Sequence, residues 1–185
     1  MAASKFKKLK SIHELHESVH DQQTLLSKLN KELSAYTVFD LMKIQVQLEQ
    51  ECKYLPTKYK KVFREKMAEQ LIGNFKAIIS KTYSNNQILD KQLFIEFLEN
   101  LQEKLDNIDT EDPSQAQDMT VLYHLCALYN IFITKTPPHP EGTPFPGGFF
   151  VEKIGDEYYC PVKDKQKEND EALCRFCVAR QTQME

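Results

Sequence analysis

The sequence predicts a mainly α protein: an antiparallel bundle of about five helices, followed by a small C-terminal β-hairpin plus helix that forms a metal-binding module. Three observations predict it. Apolar residues recur at steps of three and four through the first two-thirds of the chain. Composition then breaks over residues 134–148, which hold five of the eight prolines and three of the five glycines. Beyond that break, three of the five cysteines crowd into residues 160–177. The organisation expected is a helical bundle over 1–133, a Pro/Gly-rich loop over 134–148, and a hairpin-helix Cys-rich module over 149–185 packed on the bundle.

The elements follow in order. Ser11 and Glu14 fit a capping box, in which hydroxyl and carboxylate satisfy each other's orphan N–H groups, so a first helix runs to about Leu33. Ser34 or Thr37 caps a second helix, whose residues Val38, Phe39, Leu41, Met42, Ile44, Val46 and Leu48 predict a broad buried face ending before Pro56. The third helix, about Thr57 to Lys81, repeats Tyr59, Val62, Phe63, Met67, Leu71, Phe75, Ile78 and Ile79 on one side. After a polar turn, Asp90 begins a fourth helix with Phe94, Phe97, Leu98, Leu101, Leu105 and Ile108 facing inward. The fifth, from about Ser114 to Ile133, is apolar nearly all round, as a central helix should be.

Proline locks φ and lacks a donor while glycine frees φ, so 134–148 cannot continue the helix and suits a shaped loop. The runs "FFVEKI" and "EYYCPV" then read as two strands around a Gly155-Asp156 turn. That register sets Ile154 opposite Glu157 and puts Phe149, Val151, Tyr158, Cys160 and Val162 on one face. A charged excursion leads to a last helix, capped by Asn169 or Asp170 and running to about Gln181.

Cys174 and Cys177 form C-x-x-C in the first turn of that predicted helix, and Cys160 ends the preceding strand. Thiolates suit a helix N-terminus, and three of them suit zinc, which takes four ligands. His139 in the proline-rich loop is the nearest candidate to complete a Cys₃His site. The metal expected is zinc; the Cys160-Pro161 pair also fits an iron–sulfur cluster.

Four blocks carry a resemblance: "FDLMKI" at 39–44, "TPPHPEGTPFPGG" at 136–148, "YYCPVKDKQ" at 158–166 and "ALCRFCVARQ" at 172–181. In these the chain resembles a family of uncharacterised archaeal proteins, known chiefly from methanogens. The resemblance implies an anaerobic cytoplasm rich in iron–sulfur and zinc proteins, and it carries over no catalytic residue.

Other residues invite weaker readings. His13, His16 and His20 share a face if the first helix is continuous, which reads as solvated surface before a metal site. His124, among apolar neighbours, reads as a core histidine with Thr120 as its partner, and Cys52 and Cys126 read as structural. Charged residues make up 28% and apolar residues 41% of the chain, the balance of a folded soluble protein. Lys5, Lys7, Lys8 and Lys10 form a small solvated arm, with no apolar signal segment after it. From Phe149 onward six Lys/Arg stand against eight Asp/Glu, which argues against nucleic acid as a partner. No run is long enough to span a bilayer, and no glycine-rich phosphate loop is present.

The expected function is a cytoplasmic protein in which a structural zinc supports a surface for a protein partner, with "EGTPFPGGFF" as the contact. The alternatives are a metalloenzyme with an open zinc position, His139 acting as acid or base near Tyr158 or Tyr159, and an iron–sulfur or redox protein.

Overall fold

The computed structural model describes residues 15–43, 56–81, 86–108 and 113–183. The protein is mainly helical, with small β-sheets toward the C-terminus. No helix of the described residues is long and apolar enough to cross a membrane.

The first predicted helix is interrupted. Residues 15–18 are helical, and a new helix, α1, spans Gln22–Leu33. The cause is Asp21: its carboxylate accepts from the Thr24 N–H at 2.7 Å, recapping the chain. Around the break, Leu89 N–H donates to His20 O and Gln22 N–H to Gln87 O, so the backbone pairs with a distant segment instead of continuing the helix. With the helix broken between His16 and His20, these two do not share a helical face as predicted. His13 and the Ser11–Glu14 capping box lie outside the described residues.

Residues 38–43 are helical, with the Asp40 carboxylate accepting from Thr37 N–H and hydroxyl. Here the predicted broad buried face fails. Leu41 is buried, but Val38, Phe39 and Met42 are 66%, 75% and 58% exposed. Ile44, Val46, Leu48 and Cys52 lie outside the described residues.

Helix α2 spans Thr57–Ser80 and ends on Lys81 in the left-handed conformation, φ 51°. Tyr59, Met67, Leu71 and Ile78 are buried as its periodicity predicts, whereas Val62 and Ile79 remain exposed. Helix α3 spans Lys91–Asp106, and the Asp90 carboxylate accepts from Leu93 N–H. Its Phe94, Phe97, Leu98 and Leu101 are buried; Ile108 falls beyond its end. Helix α4, Pro113–Leu128, continues as a π-helix over Tyr129–Thr134. Every residue from 124 to 133 is buried, as expected of the central helix.

The π-helix ends on Lys135, again left-handed at φ 55°. There the Asn130 carbonyl accepts from the N–H groups of Lys135 and Thr136 and from the Thr134 hydroxyl. The carbonyls of Phe132 and Ile133 accept instead from the amide of buried Gln22, at 2.9 and 3.2 Å. The same side chain accepts from Gln87 N–H. Asn30 likewise donates to the Ile78 and Ile79 carbonyls at the end of α2. Amides on α1 thus satisfy the orphan carbonyls of two other helices. Gln22→Ala leaves two buried carbonyls and the partly buried Gln87 N–H without this partner and is expected to cost about 2–3 kcal/mol by urea denaturation, against under about 0.5 kcal/mol for exposed Gln23→Ala.

The C-terminal region carries two sheets. Strands β1 (Pro144–Phe145) and β2 (Phe149–Phe150) pair antiparallel inside and just after the proline-rich loop. The turn between them needs φ 94° at Gly147 and 86° at Gly148, which only glycine adopts freely. Strands β3 (Glu152–Ile154) and β4 (Glu157–Cys160) pair in the predicted register, Ile154 opposite Glu157. The predicted last helix is corrected. It is a single 3₁₀ turn, Leu173–Phe176, followed by extended chain and a strand β5 (Arg180–Gln181) that pairs parallel with β4. Extension there lets Ala179 bury against Val151 and Cys160, which a continuing helix would forgo.

The module is tied to the bundle through its own apolar residues. Leu173 and Phe176 belong to the main core. Phe97 of α3 meets Phe132 at 6.0 Å, Phe176 at 5.1 Å and His124 at 5.8 Å between ring centroids, all edge-on. Asn100 donates to the Asp170 carbonyl at 3.0 Å, and Arg175 pairs with Glu96 at 3.2 Å.

Candidate metal centre

Cys160 ends β4, Cys174 lies within the 3₁₀ turn, and Cys177 closes that turn. The dipole argument for the C-x-x-C pair therefore does not apply, because one 3₁₀ turn supplies no helix N-terminus for it. All three thiols are free. They sit close enough to act on one another: charge on Cys160 opposes ionisation of Cys174, and both oppose that of Cys177. Burial is the larger effect and raises all three, Cys177 to about 11.

Donors surround these sulfurs. The backbone N–H groups of Val162 and Lys163 favour the ionised form of Cys160, and the Cys177 sulfur accepts from Ala179 N–H at 3.4 Å. Pro161 cannot donate, so the first available N–H groups after Cys160 are those two. The Lys163 ammonium donates to the carbonyls of Cys174 and Cys177, the latter at 2.9 Å, and its charge favours the ionised form of all three thiols. Gln181 braces the outer turn: its amide donates to Pro161 O and accepts from Asp164 N–H. Sequence reasoning missed Lys163 and Gln181, although the Cys-Pro-x-Lys spacing was the signal for the first.

His139 stands apart from the sulfurs' electrostatic neighbours. Its ring packs between Phe63 at 5.8 Å and Phe145 at 5.6 Å, and burial lowers its pKa to about 4. Phe145 in turn packs on the Val151–Cys160–Ala179 cluster, so one aromatic ring separates the histidine from the module. Among the described residues, no group of three or more His, Cys, Asp or Glu side chains is assembled closely enough to hold an ion as it stands. The three cysteines share a neighbourhood and a set of N–H donors suited to thiolates, without a formed coordination shell.

His124 is a core histidine, as its neighbours predict. Its Nδ1 lies 2.7 Å from the Thr120 carbonyl rather than the hydroxyl, and burial lowers its pKa to about 4. Lys104 lowers it further and Glu171 opposes. Because the folded value lies below the ordinary 6.5, stability is full above pH 6.5 and falls as pH drops toward 4, by about 3 kcal/mol for this group. His139, which is only partly buried, adds a smaller loss in the same window. Urea titrations from pH 7 to 4 should show this slope, and His124→Gln should flatten most of it. Buried Cys126, raised to about 12, is an inert thiol, consistent with a structural role.

The sequence family described as "Uncharacterized protein conserved in archaea" (DUF2115) matches residues 21–182, from the recapping aspartate to just past β5. This chain belongs to the DUF2115 family. It is similar to a UPF0305 protein of Methanothermobacter thermautotrophicus, 34% identical over 160 residues, covering 86% of this chain and 96% of that protein. A UPF0305 protein of Methanocaldococcus jannaschii is 36% identical over 156 residues, covering 84% and 93%. One of Methanococcus maripaludis is 31% identical over 160 residues, covering 86% and 96%. The DUF2115 match takes in the proline-rich loop and all three module cysteines. No solved structure matches.

Proposed function

We propose that this DUF2115 protein is a cytoplasmic metal-binding protein in which Cys160, Cys174 and Cys177 hold a zinc ion. The observation that carries this is the proximity of the three thiols, which oppose one another's ionisation, together with the Ala179 N–H on the Cys177 sulfur and the half-buried Lys163 ammonium beside all three. Groups of that kind hold thiolates in place behind a metal. The reading requires rotations about χ1 that turn the three neighbouring thiols onto one ion. Zinc supplies cross-linking there, tying β4 and β5 to the 3₁₀ turn in a module with a small core of its own. The metal thereby supports a protein-binding surface at residues 141–150, where Phe149 and Phe150 are exposed on β2.

One observation favours a second reading, an open fourth position of the kind catalytic zinc requires: His139 is engaged by two aromatic rings rather than by the sulfurs. Elemental analysis of anaerobically purified protein tests both. One zinc per chain, lost on Cys160→Ser, supports the proposal. Retention of that zinc in His139→Ala assigns the fourth site to something other than the histidine. A chain that contains and takes up no metal refutes both readings, and brown protein with visible absorption replaces zinc by a cluster.

A further inference from the structure

A groove of about 370 Å³ runs between α2, the π-helix and the proline-rich loop, a volume within the range of small-molecule sites. Three features of its lining restrict what it takes. Its walls are largely apolar surface with neutral hydrogen-bonding groups set into it, Asn74 of α2 and Asn130, Thr134 and Thr136 at the π-helix end, with Tyr129 and Tyr158 beside them. Among the described residues that line it, Glu141 is the one carboxylate and there is no lysine, arginine or histidine, so an anionic ligand finds no countercharge on the wall itself.

The Asn130 amide is oriented: its oxygen accepts from the Thr136 hydroxyl at 3.3 Å, so its N–H donors and one further lone pair are what it can offer. Behind Gln70, Asn74 and Asn130 a second recess of about 20 Å³ opens between apolar walls that include Met67, Leu71 and Cys126. That space admits one water- or methyl-sized group. A π-helix at the site is itself a frequent mark of function.

We propose that this groove binds a neutral, hydroxylated small molecule carrying an acetamido group. The acetamido oxygen and N–H meet the Asn74 and Asn130 amides, its methyl enters the recess, and the hydroxylated body lies against Tyr129, Tyr158 and the loop prolines. The "TPPHPEGTPFPGG" segment then serves as one wall of a ligand site, with Pro137, Pro140 and Glu141 contributing directly. The proposal is independent of any metal at the cysteines.

The test is an amide NMR titration of the full chain with N-acetylglucosamine, glucose and N-acetylglucosamine 6-phosphate. The expected result is saturable shifts at Asn74, Asn130 and Thr136 with the first sugar, at a Kd of about 1 mM or tighter. Glucose, lacking the acetamido group, and the phosphorylated sugar should each bind about tenfold more weakly or worse. Asn74→Leu, at a half-buried position on α2, should remove the shifts while leaving the thermal midpoint unchanged. Equal binding of glucose overturns the acetamido assignment, and tighter binding of the phosphate overturns the neutral one. Absence of saturation by every probe, or undiminished binding by Asn74→Leu, overturns the site itself.

Discussion

Cys174→Ser is expected to abolish stoichiometric zinc binding, and Cys160→Ser and Cys177→Ser to do the same. Three thiolates are the minimum donor set present, and a structural zinc contributes on the order of 10 kcal/mol to the segment that folds around it. The loss should be local. Leu173 and Phe176 lie in the main core, so the 3₁₀ turn stays docked without metal, and the parts released are β5 and the turn after Cys160. Hydrogen exchange reads this directly. The amides of Lys163 and Thr182, which bond to the Cys160 carbonyl, should exchange at least tenfold faster in the serine variants or after chelation. The α3 and α4 amides should not change. Metal content equal to wild type in all three serine variants would sink the proposal, as would identical exchange with and without chelator.

Phe97→Ala is expected to destabilise the fold by about 3–5 kcal/mol in urea titrations. The ring is fully buried and makes three edge-on contacts, to Phe132 on the π-helix, Phe176 on the module and His124 on α4. Its removal opens a cavity where bundle and module meet, and aromatic pairs add about 0.5–1.5 kcal/mol each beyond area burial. Phe149→Ala, on the exposed β2, should cost under about 1 kcal/mol. A Phe97→Ala cost near that of Phe149→Ala would show that the module is not anchored through this cluster.

Much of the helical part was legible because its signals are local. Asp90 caps α3 where the sequence places a cap, since an aspartate side chain reaches an N–H three residues on regardless of what the helix packs against. Pro56 precedes the first turn of α2, and the Gly155-Asp156 turn sets the β3–β4 register by geometry alone. The first helix misled for an equally physical reason. Asp21 has two local options, interior helix or cap, and the choice went to the cap because Gln22 and His20 pair with residues 87–89. Apolar Val38, Phe39 and Met42 likewise carry a helical period without telling which face finds a partner.

The candidate site was half legible. Cysteine spacing indicated which thiols would be neighbours, and Lys163 could have been read from the same motif. The packing of His139 between two aromatic rings could not, because its partners are Phe63, 76 positions earlier in the chain, and Phe145.

Sequence by itself determined helices α2 to α4, the Asp90 cap and the hairpin register, since each depends on residues within a few positions of one another. Tertiary structure alone decided the parallel strand β5, the π-helix held by Gln22 from 110 residues away, and the groove beside it. The physical reason is that a buried carbonyl or an open strand edge must be satisfied by whatever the fold brings to it, and that partner leaves no periodic mark in the chain.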